Sequence, residues 1–293
     1  MMDWLFLIEV VLSGLGSGAL FALTGIAFVL IYKATKVINL AVGEMLMLCA
    51  YFFFGLTTAL ALPVWLAIIL TVIGGGVLGG VVERALIRPM LGESPISVFM
   101  VTVGLSSVLI GFVELVWGGD PRTLPNFLPT KPVFIGDAYV SPKIAVCFVV
   151  ASLLIAGFLL VFRKWRGGVA LRATAADQGA AFSCGINVPA VFSISWVVAG
   201  MAAAGSGILI GSIGGISPSM GVFGLTVLVA VIVGGLDSIA GVLVAGLAIG
   251  VIEALVGTYL GGEFKLFVTF VTLIIAMMIR PYGMFGTIEI ERL

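Results

Sequence analysis

An all-α integral membrane protein, a polytopic bundle of eight or nine transmembrane helices, is the fold this sequence predicts, on three observations. Of 293 residues, 61% are hydrophobic and only 10% charged, against about 25% charged in soluble domains, and the mean hydropathy is +1.31. Apolar runs near 20 residues recur along the whole chain, the length an α-helix needs to cross about 30 Å of hydrocarbon. The 40 glycines suit helices whose backbones approach closely, because packing drives helix association in a membrane.

The spacing predicts nine crossings in order: 5–31, 43–61, 64–86, 95–117, 143–162, 191–211, 222–235, 239–257 and 264–280. Before the first, Met1-Met2-Asp3-Trp4 and then Glu9 lack the basic start of a signal peptide, so the first helix reads as a retained span. Pro63 marks a tight turn between the second and third. The proline-rich loop 118–142 reads as ordered with little helix, either a connector or a surface for an extracytoplasmic partner. The segment Gly211-Ser-Ile-Gly214-Gly215-Ile-Ser217-Pro218-Ser219-Met-Gly221 reads either as an outer loop or as an unwound link whose N–H groups could meet a carboxylate. The run at 222–235 is short enough for a broken or re-entrant element, which is tolerated where it lines protein or a cavity.

Basic residues set the direction. Lys33, Lys36, Arg84, Arg88, Arg163, Lys164, Arg166, Arg172, Arg280 and Arg292 fall on one side, and Arg122, Lys131, Lys143 and Lys265 on the other. The richer side is cytoplasmic, which puts the N-terminus outside and the C-terminus inside. Gly76-x-x-x-Gly80-Val-Val-Glu83 echoes Gly246-x-x-x-Gly250-Val-Ile-Glu253 on helices of opposite direction, the pattern an inverted repeat would leave.

Several function classes recede. A net charge of zero offers nothing to nucleic acid. The chain has no histidine, which removes the commonest metal ligand and proton shuttle. Cys49, Cys147 and Cys184 stand singly, unlike a zinc site or a disulfide framework. No Gly-x-x-x-x-Gly-Lys-Ser/Thr loop is present to cradle ATP phosphates.

The longest polar stretch, 163–190, predicts a cytoplasmic surface helix at 168–184. Leu171, Ala175, Gln178 and Phe182 fall near one face, with Arg172 and Asp177 elsewhere. Gly185 suits the C-cap, and Pro189 stops any continuation. Such a helix either lies on lipid headgroups or enters a groove on another protein. Asn39, Gly43 and Glu44 interrupt the apolar run at the cytoplasmic end of the second span. Either Glu44 reaches water or caps a helix, or Asn39 and Glu44 form an inner gate or meet a partner subunit. Glu114 and Glu253 fall nearer the outside, within reach of solvent.

Gly168-Val-Ala170-Leu-Arg172-Ala173-Thr-Ala-Ala-Asp177, then Ala181 and Gly185-Ile186-Asn187, resembles the cytoplasmic signature of the permease subunits of branched-chain amino acid ABC importers, the hydrophobic amino acid uptake type. Ile38-Asn39-Leu40-Ala41-Val42-Gly43-Glu44, Glu83-Arg84-x-x-x-Arg88-Pro89-x-Leu91, Pro218-x-x-Gly221…Gly234-Gly235-Leu-x-Ser238-Ile-x-Gly241 and Arg280-Pro281-x-Gly283-x-Phe-Gly286 are similar to further blocks of that family. The likeness runs through essentially the whole chain. Two positions depart: Val42, where histidine or glutamine is frequent, and Asp237, where glycine is common. Relatives also serve urea, short amides and aromatic or dicarboxylic acids.

The resemblance implies an ABC importer permease fold, a single permease domain over 1–293, in a bacterial inner membrane. It implies a second homologous permease subunit, two cytoplasmic ATPase subunits carrying ATP and Mg, and an extracytoplasmic solute-binding protein. It also implies that 168–187 is the coupling helix seated on an ATPase, with Arg172 and Asp177 as docking or helix-stabilising charges and Gly168, Gly185 and Asn187 shaping the segment. The translocation pathway or gate then falls to Asn39, Gly43, Glu44, Ser217, Pro218 and Gly221. No catalytic residue, cofactor or metal is expected in the chain itself. A self-contained secondary transporter or channel is the competing class, and would want ionisable residues deep in the spans. A membrane enzyme would want an acid, base and nucleophile set that the sequence lacks.

Overall fold

The computed structural model describes residues 4–129 and 131–287; Asp3, Thr130 and Arg292 lie outside the described residues. Each predicted crossing corresponds to a helix: α1 (Trp4–Thr35), α2 (Val42–Thr58), α3 (Val64–Val82), α4 (Pro95–Trp117), α5 (Pro142–Lys164), α8 (Val188–Gly214), α9 (Val222–Gly234), α10 (Ile239–Tyr259) and α11 (Phe264–Ile279). Two short helices, α6 (Arg166–Ala176) and α7 (Gln178–Ser183), occupy the polar stretch. Among the described residues, six helices are long and apolar enough to cross a membrane, and α2, α9 and α11 are shorter. The 13 residues of α9 rise only about 20 Å.

Inside the 118–142 loop, where the sequence predicts little helix, lies a hairpin the pattern did not reveal. Strands β1 (Val133–Ile135) and β2 (Ala138–Val140) pair antiparallel. Gly136 supplies the positive φ of +65° that a two-residue turn requires.

The chain folds as two compact units. One comprises the described residues of Met1–Val29, Leu128–Ser152 and Thr226–Leu293, the other Leu30–Phe127 and Leu153–Leu225. In the first, α1 and α10 touch backbone to backbone. A Cβ added at Gly18 would stand 2.7 Å from the Leu247 Cα, and one at Gly14 2.7 Å from the Val251 Cα. Only glycine permits that approach, the geometry expected of small residues at a membrane helix interface. The segment after α11 folds back on the α9–α10 turn: Met284 N–H donates to Val233 C=O at 2.8 Å and Phe285 N–H to Gly234 C=O at 3.0 Å. Asp237 accepts from the Thr287 amide and hydroxyl. That contact gives the aspartate a local partner.

In the second unit α8 is the central helix. Gly75 and Gly79 of α3 lie on it, with Gly200 in return 2.9 Å from the Gly75 carbonyl carbon, measured from the position of an added Cβ. The echo noted above pairs Gly76 and Gly80 with Gly246 and Gly250, but their contacts differ. Gly76 and Gly80 meet the side chains of Met201 and Val197, whereas Gly246 and Gly250 meet the backbone of Ala22 and Gly18. The buried side chains of Leu46, Met47, Tyr51 and Phe53 on α2 pack with Ala203 and Ile208 of α8. Arg122 fastens the following loop: it exchanges backbone bonds with Ile216 at 2.8 Å in both directions, and its guanidinium donates to Trp117 C=O.

Beyond Val82, α3 opens into a wide turn over Glu83–Ile87 and then tightens over Arg88–Met90. Glu83 is only 1% exposed and takes a forked pair of bonds from Arg88, at 3.0 and 3.3 Å. Arg88 also donates to Ser193 Oγ at 2.6 Å and to Pro189 C=O at 3.3 Å, and Ser193 Oγ–H donates to Glu83 at 3.0 Å. The end of α3 and the start of α8 are thereby locked together.

Candidate functional site

Two groups of predicted residues occupy the second unit. The first surrounds the start of α2. After α1 ends at Thr35, residues 36–41 leave the helix, with Lys36 at φ +56°. Non-helical backbone buried in a membrane protein must find internal partners, and Asn39 supplies one. Its side chain is 1% exposed, and its Oδ1 accepts the Ala41 N–H at 3.0 Å while its Nδ2 faces Met45 Sδ at 3.7 Å. The hydroxyl of Thr102 accepts from Leu40 N–H at 3.3 Å. Asn39 therefore shapes the entry to α2, an Asx turn by geometry.

One helical turn on, Gly43 lies against the backbone of Gly221 and Gly224; an added Cβ would stand 2.9 Å from the Gly224 Cα. Glu44 follows. Its Oε1 stands 2.8 Å from where a Cβ at Gly221 would sit, and its Oε2 is buried without a hydrogen-bond partner. Ser217 precedes a tight turn, Pro218–Gly221, with Pro218 in its first position. The Ser217 and Ser219 hydroxyls bond each other at 2.8 Å; neither reaches Glu44.

The sequence leaves Ser217–Gly221 as either an outer loop or an unwound link and does not place it beside Asn39–Glu44. Gly43, Glu44 and Gly221 form one cluster. The reason is length: the 17 residues of α2 rise about 25 Å, short of the hydrocarbon thickness, and both α2 and α9 begin from broken backbone. A hydropathy window counts apolar residues and does not register such a break. Gly43→Ala is expected to wedge α2 from the Pro218–Gly221 turn and destabilise the chain by about 1–3 kcal/mol, read as a lowered melting temperature; an unchanged melt would refute the contact.

The second group spans α6 to α8. The sequence predicts one helix over 168–184; the structure has two, divided at Asp177. That residue is extended, φ −159° and ψ 115°, and its Oδ1 accepts Ala180 N–H at 2.9 Å to cap α7. Aspartate competes with helix continuation in this way. Gly185, at φ +83°, terminates α7 as expected. Asn187 caps α8 through Ala190 N–H at 3.1 Å, and Pro189 sits in the first turn of α8 rather than ending a helix. Gly168 lets α6 close on α5: an added Cβ would be 2.8 Å from the Phe162 carbonyl carbon. Arg172 donates to that same carbonyl at 2.9 Å and stacks 5.3 Å from the Phe162 ring.

All five predicted coupling residues thus shape the backbone or bind within the chain. What the segment presents outward is different. The break at Asp177 turns Phe182 away from buried Leu171, with which the single-helix pattern would place it, and leaves it 70% exposed. Sequence reasoning missed that, and it also assigned no role to Glu83, Arg88 and Ser193. The signal for the latter was the Glu83…Arg88 spacing at a helix end. Asp177→Ala is expected to remove the cap at about 1 kcal/mol, read as faster amide exchange over 180–183 with the global melt unchanged. Unaltered exchange there would contradict the capping role.

The family described as "Branched-chain amino acid transport system / permease component" matches residues 10–277. The High-affinity branched-chain amino acid transport system permease protein LivH of Salmonella typhimurium is 30% identical over 304 residues, covering 99% of both chains. BraD, the corresponding permease protein of Pseudomonas aeruginosa, is 29% identical over 299 residues, covering 97% of both. Among solved structures, PsaBC from Streptococcus pneumoniae in complex with Fab aligns with a TM-score of 0.50 at 12% identity, covering 97% of this chain and 95% of that one; this likeness concerns the fold alone. By its full-length relatives and its family match, the chain belongs to the permease components of branched-chain amino acid transport systems.

Proposed function

We propose that this chain is the membrane subunit through which an ATP-driven importer moves branched-chain amino acids, paired with a second permease subunit and supplied by a binding protein on the opposite face from its ATPases. The observation that carries this reading is the α6–α7 segment. It is held in a fixed shape by Gly168, Arg172, Asp177, Gly185 and Asn187, and it offers Phe182 to a partner. An aromatic anchor in a rigid frame is the form that docking hot spots take. Arg172 and Asp177 act by holding that frame, and not as docking charges.

Motion of the docked segment has a direct mechanical route. Asn187 caps α8, and Arg88 ties the first turn of α8 to Glu83 at the end of α3. Displacement of α7 would therefore move α8 and α3 together. Both helices pack against α2, whose start carries the Gly43–Glu44–Gly221 cluster. We assign Asn39, Gly43, Glu44, Ser217, Pro218 and Gly221 to the pathway or its gate. Glu44, with one carboxylate oxygen buried and unpartnered, is the group suited to meet a passing ammonium.

Uptake of labelled leucine into proteoliposomes carrying the whole complex tests the substrate. ATP-dependent uptake with competition by isoleucine and valine supports it. An active ATPase complex that ignores all three while importing an amide or a dicarboxylate would move the assignment to those relatives' substrates.

A further inference from the structure

Where α1 begins and α10 ends, the first unit holds a cavity of 410 Å³, within the roughly 300–1,000 Å³ usual for small-molecule sites. Its wall carries opposed charges, the carboxylates of Glu9 and Glu253 and the ammonium of Lys265. Each carboxylate is held through one oxygen: Glu9 accepts the Tyr139 amide at 2.7 Å, and Glu253 accepts the Thr269 hydroxyl at 2.9 Å. Among the described residues, no hydrogen bond to the second oxygen of either is seen. Lys265 lies along Gly257, its Nζ 3.0 Å from where a Cβ would sit there. A side chain at 257 would displace it. Among the described residues, no ion pair within 4.0 Å joins Lys265 to Glu9 or Glu253. Lys265 and the two carboxylates thus share one wall without closing on each other. Ser13, Ser17 and Ser141 add hydroxyls, while Phe6, Val10 and Ala254 add an apolar side.

We propose that this cavity binds a small zwitterion with a primary ammonium and an anionic group a few bonds away. The ammonium, which has three N–H donors, meets Glu9 and Glu253; the anion meets Lys265. Two ligands share that chemistry: a free amino acid and the headgroup of an ethanolamine phospholipid. The site shares no residue with the Gly43–Glu44–Gly221 cluster and does not depend on the transport reading, because its readout is binding.

The test uses the chain in its native complex, placed in phosphatidylcholine nanodiscs, whose headgroup has no N–H donor. Leucine and glycerophosphoethanolamine are titrated by calorimetry, and native mass spectrometry follows phosphatidylethanolamine when it is added to the nanodisc. Lys265→Met and Glu253→Gln are compared with the unaltered chain, each checked for an unchanged melt. We expect either variant to weaken the bound zwitterion about tenfold or more, as loss of one charge-assisted contact does. Leucine binding that both variants weaken identifies a free amino acid; phospholipid retention that both variants lose identifies the headgroup. Either result supports the site. Binding of neither ligand, or binding that both variants leave unchanged, overturns it.

Discussion

Glu83→Ala is expected to destabilise the chain by about 1.5–3 kcal/mol, the effect of removing charge-assisted hydrogen bonds between a buried carboxylate and a half-exposed guanidinium. Glu83 is 1% exposed and accepts from both Arg88 and Ser193. Its loss leaves the Arg88 guanidinium with only the Pro189 carbonyl and the Ser193 hydroxyl. Thermal melting of the purified complex reads the loss, and transport should fall with it because the start of α8 is released from α3. Replacing both partners by apolar residues of similar volume, Glu83→Leu with Arg88→Met, should recover most of the stability but not the transport. A melt that Glu83→Ala leaves unmoved would remove this lock from the account.

Phe182→Asp is expected to leave the fold intact, since the ring is exposed and not part of the core, and to uncouple the ATPase. Truncating an aromatic anchor typically costs 2 kcal/mol or more of binding, and a carboxylate would then be placed in the interface. We expect affinity for the ATPase subunit to fall roughly thirtyfold or more. Arg172→Lys should act differently. Lysine cannot reproduce the stacked, hydrogen-bonded guanidinium, so α6 should loosen from α5 while Phe182 remains available. Retention of full ATPase binding by Phe182→Asp would contradict the docking surface.

The helices were legible because their apolar runs are long. Even the brief stretch at 222–235 returns as Val222–Gly234. The caps were partly legible too: Gly185 before Asn187 marks a helix end and the next start. What the sequence concealed depends on contacts between distant segments. Nothing local to Gly43 shows that Gly221 and Gly224 will lie against it, and nothing local to Glu83 shows that Ser193 will reach it. The break at Asp177 was concealed for another reason. Alanine flanks it closely on both sides and favours one continuous helix, so the cap bond to Ala180 decides the matter against propensity. The β1–β2 hairpin is only three residues per strand, too short for an alternating pattern to stand out. Phe182 illustrates the consequence: its identity was plain, but its exposure follows from the break.

Affinity purification of the tagged chain from its native membrane, with ATPase activity measured on the product, decides whether Phe182 docks an ATPase. A stoichiometric ATPase is expected to copurify with the unaltered chain and to be lost from Phe182→Asp while that variant stays monodisperse. A monodisperse preparation without ATPase that still moves solute into liposomes would contradict that expectation and make the chain a self-contained transporter.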